Sequence, residues 1–420
     1  MLKLLRRWRL GAPFLLIVAL IGARLTAVPA LSDPVRGAVA TSLHLHVPLL
    51  YLLFSPAFTL WDGISMLSMS RLRGFLQGLA VLYLLWRLGC VWARTRNPHV
   101  DKRRLVQNEV VTLLLTLTGL VLFLATGALW HRPMLSLAGV PSGQSVVDFH
   151  SHTNLSHDVK GTLMAGFSAA ANQRWHARAG FDGVFLTDHD VVSHESRVAT
   201  SQSQGAAGVP ALCPGIEVSA WRAHIVLLGD SLALDRDGYR RSLDGLLTLL
   251  RTSESRYHAL TVASLPEYRR NHWGRLDELI TAGLDGFEIV NAAPKANELS
   301  RAERDSVIAL ARRHNRFLVG VSDNHGWGAT SMVWNLVPVS RQPEALCDRV
   351  LERLRSGFQA VQVVERHRLR PDDRWPMLLT PIAVLWETWR SMGGALTLSW
   401  LGWILVWVAW RARRAALAKG

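Results

Sequence analysis

The sequence predicts an α/β domain built on a parallel sheet and held between membrane-spanning helices. Three observations carry this reading. From about residue 144 to residue 364, apolar runs of four to seven residues alternate with helical patterns. Long charge-free apolar segments lie on both sides of that region. Histidine, aspartate and glutamate side chains gather at the ends of the short runs and not in their middles.

The membrane elements come first in the chain. Residues 10–28, 74–92 and 110–129 are apolar segments close to the roughly 20 residues that cross a hydrocarbon core. Arg87 lies near the end of the second, where its head can snorkel to the interface. Segment 10–28 has the short apolar core of a secretory signal, but it lacks a small-residue cleavage site and further spans follow. Segment 392–410 is the clearest span after the middle region. Residues 376–386 are too short to cross; with Trp375, Trp386 and Trp389 they read as an interfacial element or an ordinary buried helix. This divides the chain into a membrane region at 1–143, a folded domain at 144–370, and an interfacial segment with a final span at 371–420.

Segment 47–69 is apolar but interrupted by Pro48, Ser55, Pro56 and Asp62. Basic residues cluster at Lys3, Arg6, Arg7 and Arg9, at 94–104 and at 411–419. If 47–69 does not cross, all three clusters fall on the cytoplasmic side and the middle domain lies outside, in a bacterial-type periplasm. If it crosses, the second and third clusters lie outside and the domain inside. The first arrangement satisfies the positive-inside rule better. An integral protein of a bacterial inner membrane, with its domain in the periplasm, is therefore expected. The net charge of +15 would suit a nucleic-acid binder, but the hydrophobicity at both ends and the basic flanks read as membrane anchoring, and no specific nucleic-acid partner is expected. Cys90, Cys213 and Cys347 form no CxxC and no even framework, so neither a zinc-thiolate site nor a disulfide scaffold is expected; a pairing of Cys213 with Cys347 is the one left open. The sequence carries no signal for the oligomeric state.

In the middle region the strand-like runs are "SVVDFH", "FDGVFLTDH", "LCPGIEVS", "HIVLLG", "ALTVASL", "GLDGFEIV", "RFLVGVSD" and "FQAVQVV". Helical patterns fall at 162–179, 237–252, 273–282, 300–315 and 342–356. Strands alternating with helices argue for a parallel sheet, open or closed into a barrel. No GxGxxG or Walker pattern follows the first strand, which removes weight from the nucleotide folds. His150 and His152, Asp188 and His189, Glu217, and Asp323 and His325 lie at run ends. In a (β/α) barrel the strand C-termini converge on one face, whereas histidines placed for packing would show no such phase.

His150 and His152 alternate with one residue between them, so on a strand both imidazoles face the same side and can bind one ion. Imidazole and carboxylate ligands suit zinc, manganese or iron. Glu217 can bridge two ions. A centre of several metals acidifies water and clamps the oxygens of a displacement. Hydrolysis follows, most naturally of a phosphate ester.

The ordered series "DFHSHTNLSHD", "FLTDHD", "GIEVS" followed by "AHIVLLG", "GLDGFEIVN" and "VGVSDNHG" resembles the PHP superfamily of polymerases and histidinol phosphatases. The resemblance covers about half of the chain, from about 145 to 364, and says nothing about the membrane segments. It implies a distorted (β/α)7 TIM-like barrel, two or three divalent metal ions and, in active members, phosphoesterase activity in which a metal-bound hydroxide attacks phosphorus. Carried over residue by residue, it makes His150, His152, Asp158, His189, Glu217, His224, Asp323 and His325 metal ligands, with His157 the alternative to Asp158. Asp148 and Asp188 are expected to orient the histidines, and Asp188 and His325 are the candidates for catalytic roles. There is one departure. Where the family has a histidine before proline, this chain has Leu265 before Pro266, and Glu267 or His272 is the possible substitute.

Phosphate binding calls for basic groups. Arg222, Arg269 and Arg270 are the candidates, with Lys295, against the background of an arginine-rich chain. Trp327 is either a pocket wall or a packed loop residue. The leading expectation is a membrane-anchored phosphoesterase acting on a small-molecule phosphoester or on a lipid or envelope phosphoester. The alternatives are a carboxylic ester or amide hydrolase with the same centre, and a non-catalytic sensor or scaffold.

Overall fold

The computed structural model describes residues 2–96, 101–192, 208–229 and 236–417. Residues 97–100 of the second basic cluster and Lys419 of the third lie outside the described residues. Twelve strands are described: β1 (Leu31–Ser32), β2 (His44–His46), β3 (Ser136–Ala138), β4 (Ser145–Ser151), β5 (Gly183–Leu186), β6 (Ala211–Ala220), β7 (Ala223–Leu228), β8 (Leu260–Ala263), β9 (Gly286–Asn291), β10 (Phe317–Val321), β11 (Val333–Val337) and β12 (Gln362–Arg366). Ten of them form one sheet in the order β1–β12–β11–β4–β5–β6–β7–β8–β9–β10, and β2 pairs with β3 alone.

The sheet is mixed, not wholly parallel. β4–β5–β6 and β8–β9–β10 run parallel, as the alternation with helices predicts. β7 runs antiparallel to both β6 and β8. The reason is local: only Trp221 and Arg222 separate β6 from β7, and a parallel return needs a crossover of a dozen residues or more. Arg222 makes the tight turn with a φ of 52°. The sequence reading missed β11, "VWNLV", which pairs antiparallel with both β4 and β12. Leu31 and Ser32 join the sheet edge beside β12.

The sheet curls until β10 comes back to β4. Asp323 N donates to His150 O and His152 N to Asn324 O, each at 2.9 Å. Asn335, wholly buried on β11, bridges the same gap. Its Nδ2 donates to Val147 O at 2.8 Å and Gly320 O at 2.6 Å, and its Oδ1 accepts from Gly320 N at 2.8 Å. Gly320 permits the approach: a Cβ there would lie 2.2 Å from Val333 Cγ2. Helices cover the outside, close to where the sequence predicts them. Arg301–Arg313 is one example. Ser300 and Glu303 form a capping box at its start, and Val307, Ile308 and Ala311 are buried on one face, the amphipathic pattern of a helix laid on a sheet.

Cys213 on β6 and Cys347 in the helix Leu346–Leu354 form a disulfide, with Cα atoms 5.5 Å apart. The spacing argument gave this pair little weight. The cysteines are 134 residues apart, and only the packing of that helix on β6 brings them together.

Among the described residues, three helices are long and apolar enough to cross a membrane: Met69–Thr95, Lys102–Leu129 and Gly394–Arg414, with a shorter apolar helix at Gly11–Leu25. Segment 47–69 is broken into Leu49–Leu53 and Ser55–Ser65, with Pro48 and Pro56 at the helix starts, where proline is tolerated. Neither piece is long enough to span. The run at 376–386 lies largely in the helix Thr380–Ser391, which buries Ala383, Val384 and Trp389 and leaves Ile382 exposed. Gly78 lets the helix Met69–Thr95 press against this element, since a Cβ would lie 2.3 Å from Leu378 O.

Asp62, on the short helix Ser55–Ser65, links this N-terminal helical region to the sheet domain. It is buried, and its carboxylate accepts from Arg132 at 3.1 Å and from Thr330, Tyr51 and Arg366 at 2.9 Å each. A charge this deep persists only when paired and fully hydrogen-bonded.

Candidate metal centre

The curl brings the run ends together. β4 delivers His150 and His152, whose Nε2 atoms are 3.0 Å apart. The short helix His157–Lys160 after β4 brings Asp158, the loop after β5 brings His189, β6 brings Glu217, β7 brings His224, and the loop after β10 brings Asp323 and His325. Their donor atoms form three overlapping groups, each within 4.8 Å: His150, His152 and Asp323; His152, Asp158, His189 and His325; and His189, Glu217 and His224.

Glu217 is the hub. Its Oε2 lies 3.1 Å from His150 Nε2, 3.4 Å from His152 Nε2 and 3.2 Å from His189 Nδ1, while its Oε1 lies 3.2 Å from His224 Nδ1. Asp158 Oδ2 is 2.7 Å from His325 Nε2 and 3.3 Å from His189 Nε2. His157 packs its ring 4.8 Å from that of His189 but belongs to none of the three groups.

The electrostatics match a site made for cations. Burial opposes charge on His150, yet Glu217, Asp323 and Glu288 outweigh it and hold its pKa well above the usual imidazole value. Burial likewise opposes charge on His224 and His325, but Glu217 raises the first to about 9, and Asp323 and Asp158 raise the second to about 9. Burial, with His325, pushes His152 down to about 4. Carboxylates and imidazoles so interleaved favour positive charge between them, from protons or from metal. Among the described residues, His152 Nδ1, His189 Nδ1 and Glu267 Oε2 are buried without a hydrogen-bond partner, orphaned polar atoms within a cluster of metal-ligating side-chain types. The residues present therefore fit divalent ions.

Around the ligands lies a shell that fixes them. Glu288 Oε1 accepts from His150 Nδ1 at 2.6 Å, which leaves Nε2 to face the site. Sequence reasoning did not single out Glu288. The available signal was a carboxylate inside the apolar run "FEIV", since a buried glutamate requires a partner. Asp148 accepts from His176 Nε2 at 2.9 Å and from Ser322 N at 3.1 Å, tying β4 to the segment after β10. Asp188 is not brought into the ligand groups. Its oxygens accept from Thr153 N at 2.6 Å and Thr153 Oγ1 at 2.7 Å, fixing the loop after β4. Burial lifts its pKa to about 6, against the pull of those bonds.

Leu265 is buried, and its backbone N donates to Glu288 at 2.9 Å. Glu267 approaches the third group, with Oε2 3.8 Å from His224 Nδ1. His272 points elsewhere, to the carbonyls of Trp221 and Arg222.

A cavity of about 920 Å³ opens above the ligands. Arg222, Arg269 and Arg270 do not line it; Lys295 does. Arg222 is exposed on the β6–β7 turn, Arg269 pairs with Glu303 at 3.1 Å, and Arg270 reaches the carbonyl of Lys295 at 3.5 Å. Trp327 packs against Phe167 and His131 outside the cavity.

No protein-family model and no curated protein matches the chain. Solved structures match part of it. A candidate metal-dependent phosphoesterase from Bifidobacterium adolescentis is 16% identical over 43% of this chain and 88% of its own, with a TM-score of 0.31. PsfC from Pseudomonas syringae is 16% identical over 59% of this chain and 98% of its own, with a TM-score of 0.34. An amidohydrolase from Chromobacterium violaceum, with bound sulfate and no metal, is 17% identical over 43% of this chain and 87% of its own, with a TM-score of 0.26.

Proposed function

We propose that the chain is a membrane-anchored, metal-dependent hydrolase of PHP type that cleaves phosphate esters. One observation carries the reading: eight imidazole and carboxylate side chains from six segments of the curled sheet meet in three overlapping groups around Glu217. On this reading, the seven strands β4 to β10 are the distorted (β/α)7 barrel, and the three groups hold two or three zinc, manganese or iron ions. Glu267 replaces the histidine that Leu265 displaces. Divalent ions held there supply Lewis acidity and acidified water. The chain itself does the rest. Glu288 and Asp148 hold the histidine-bearing strand, Asp188 holds the loop of Asp158, and Lys295 presents a cation to an anionic substrate at the cavity edge. Incubation of the full-length metal-loaded protein with bis(p-nitrophenyl) phosphate, p-nitrophenyl phosphate and p-nitrophenyl acetate tests the reaction class. Cleavage of a phosphoester, lost on chelation, is the expected result. Cleavage of the acetate alone would move the assignment to ester hydrolysis, a reading that the apolar part of the cavity favours.

We infer that the domain lies on the outer face of a bacterial inner membrane. The helix ends at Leu25, Met69, Leu129 and Gly394 adjoin the sheet domain, so the basic clusters lie at the opposite ends of their helices, where the positive-inside rule sets the cytoplasm. The disulfide is an independent support, because such bonds persist in oxidising compartments. Protease accessibility of the domain in intact spheroplasts tests this placement; protection would overturn it.

A further inference from the structure

The cavity over the ligand groups has two unlike ends. One is the imidazole and carboxylate cluster. The other is built by the membrane helices: Leu72, Phe75 and Leu76 on one side, Leu124, Gly127 and Ala128 on the other. We propose that the substrate is a bilayer lipid phosphoester that enters sideways between the helices Met69–Thr95 and Lys102–Leu129. Its phosphate lies at the metal centre and its acyl tail along this wall. The proposal rests on the metal-hydrolase reading and names its substrate class.

Three features select a lipid. First, the wall belongs to the long apolar helices. Leu76 lies two residues inside the apolar segment 74–92, on the helix Met69–Thr95, and Leu124 lies inside the segment 110–129, on the helix Lys102–Leu129. A water-soluble phosphoester gains nothing from a floor made of such helices. Second, the cavity is open at these helices: Met69 and Leu76 line it and are 39% and 45% exposed. The same two helices are clamped at their other end, where Glu109 pairs with Arg87 at 2.6 Å and Arg94 at 3.0 Å. They are therefore tied at the far side and apart beside the cavity. Third, among the described residues Lys295 is the only lysine or arginine on the lining, and the wall of Leu72, Phe75, Leu76 and Leu124 carries no charge, as an acyl tail requires. The volume of about 920 Å³ is at the upper end of ordinary ligand pockets. It holds a headgroup and part of a chain, with the remainder in the bilayer.

The test uses the full-length, manganese-loaded protein in phosphatidylcholine vesicles doped with phosphatidylglycerol that carries a diazirine in its acyl tail. Bis(p-nitrophenyl) phosphate is the soluble comparison. Met66 and Met332 line the cavity and are 6% and 1% exposed, so surrounding lipid does not touch them. Crosslinks at these two residues are expected. Leu76→Trp, at the opening, should remove them and lower the ratio of lipid to soluble-diester cleavage at least about tenfold, a difference of 1.4 kcal/mol. Leu85→Trp, on the lipid-facing side of the same helix, should change neither. Absence of crosslinks at Met66 and Met332, or crosslinks and a ratio that Leu76→Trp leaves unchanged, would overturn the lipid site even with the soluble diester cleaved. Crosslinks that Leu76→Trp removes, with neither phosphoester cleaved, would support the lipid site and overturn the phosphoesterase reading instead.

Discussion

Asp62→Ala should be among the most destabilising single changes in this protein. The carboxylate is 1% exposed and accepts from two arginines, a tyrosine and a threonine at 2.9 to 3.1 Å. Removing it leaves Arg132 and Arg366 buried with their charge uncompensated. Breaking a buried pair in this way costs about 3–5 kcal/mol. At about 2–4 °C per kcal/mol for a domain of this size, the melting temperature should fall by roughly 6–20 °C. Tyr51→Phe supplies the scale. It removes one hydrogen bond to a charged acceptor, a loss of about 1.5–3 kcal/mol, while both arginines keep their partner. The assay is thermal unfolding of the detergent-purified protein, followed by tryptophan fluorescence. A drop below about 2 °C for Asp62→Ala, or a larger drop for Tyr51→Phe, would refute the claim that this network joins the short helices Leu49–Leu53 and Ser55–Ser65 to the sheet domain.

Glu288→Gln should lower metal affinity about 10- to 100-fold, because the amide orients His150 less firmly than the carboxylate at 2.6 Å; titration with manganese checks this. Cys213→Ala should cost about 2–4 kcal/mol, the usual range for a disulfide, and reducing agent should destabilise the parent protein but not this variant. Metal affinity should climb as pH rises from 6 to 9. Without metal, His224 and His325 keep their protons up to about 9, so below that value each proton competes with the ion and is released on binding. Calorimetric titrations in buffers of different ionisation enthalpy measure that release; no release would contradict the account.

Local signals made much of this molecule legible. The histidines and carboxylates stand at strand ends, and period-two geometry puts His150 and His152 on one side. The breaks in segment 47–69 follow from Pro48 and Pro56. What escaped was set by distant contacts. Cys213 meets Cys347 only after a helix docks on β6. Glu288 acquires its meaning from His150, and Asn335 from the gap between β4 and β10. The antiparallel course of β7 was readable in principle, because Trp221 and Arg222 are too short a link for a crossover. The arginines misled for a different reason. In so basic a chain proximity in sequence to a ligand is weak information, and Arg269 finds its partner in Glu303 outside the cavity.

The most direct test of the central claim is the metal content of the full-length protein, measured by mass spectrometry of the elements beside a His150→Ala, His152→Ala double variant. The account predicts two or three divalent ions per chain in the parent and at least one fewer in the variant, because the group formed with Asp323 loses both imidazoles. A parent chain that retains no ion after purification and binds none from added manganese or zinc would contradict it.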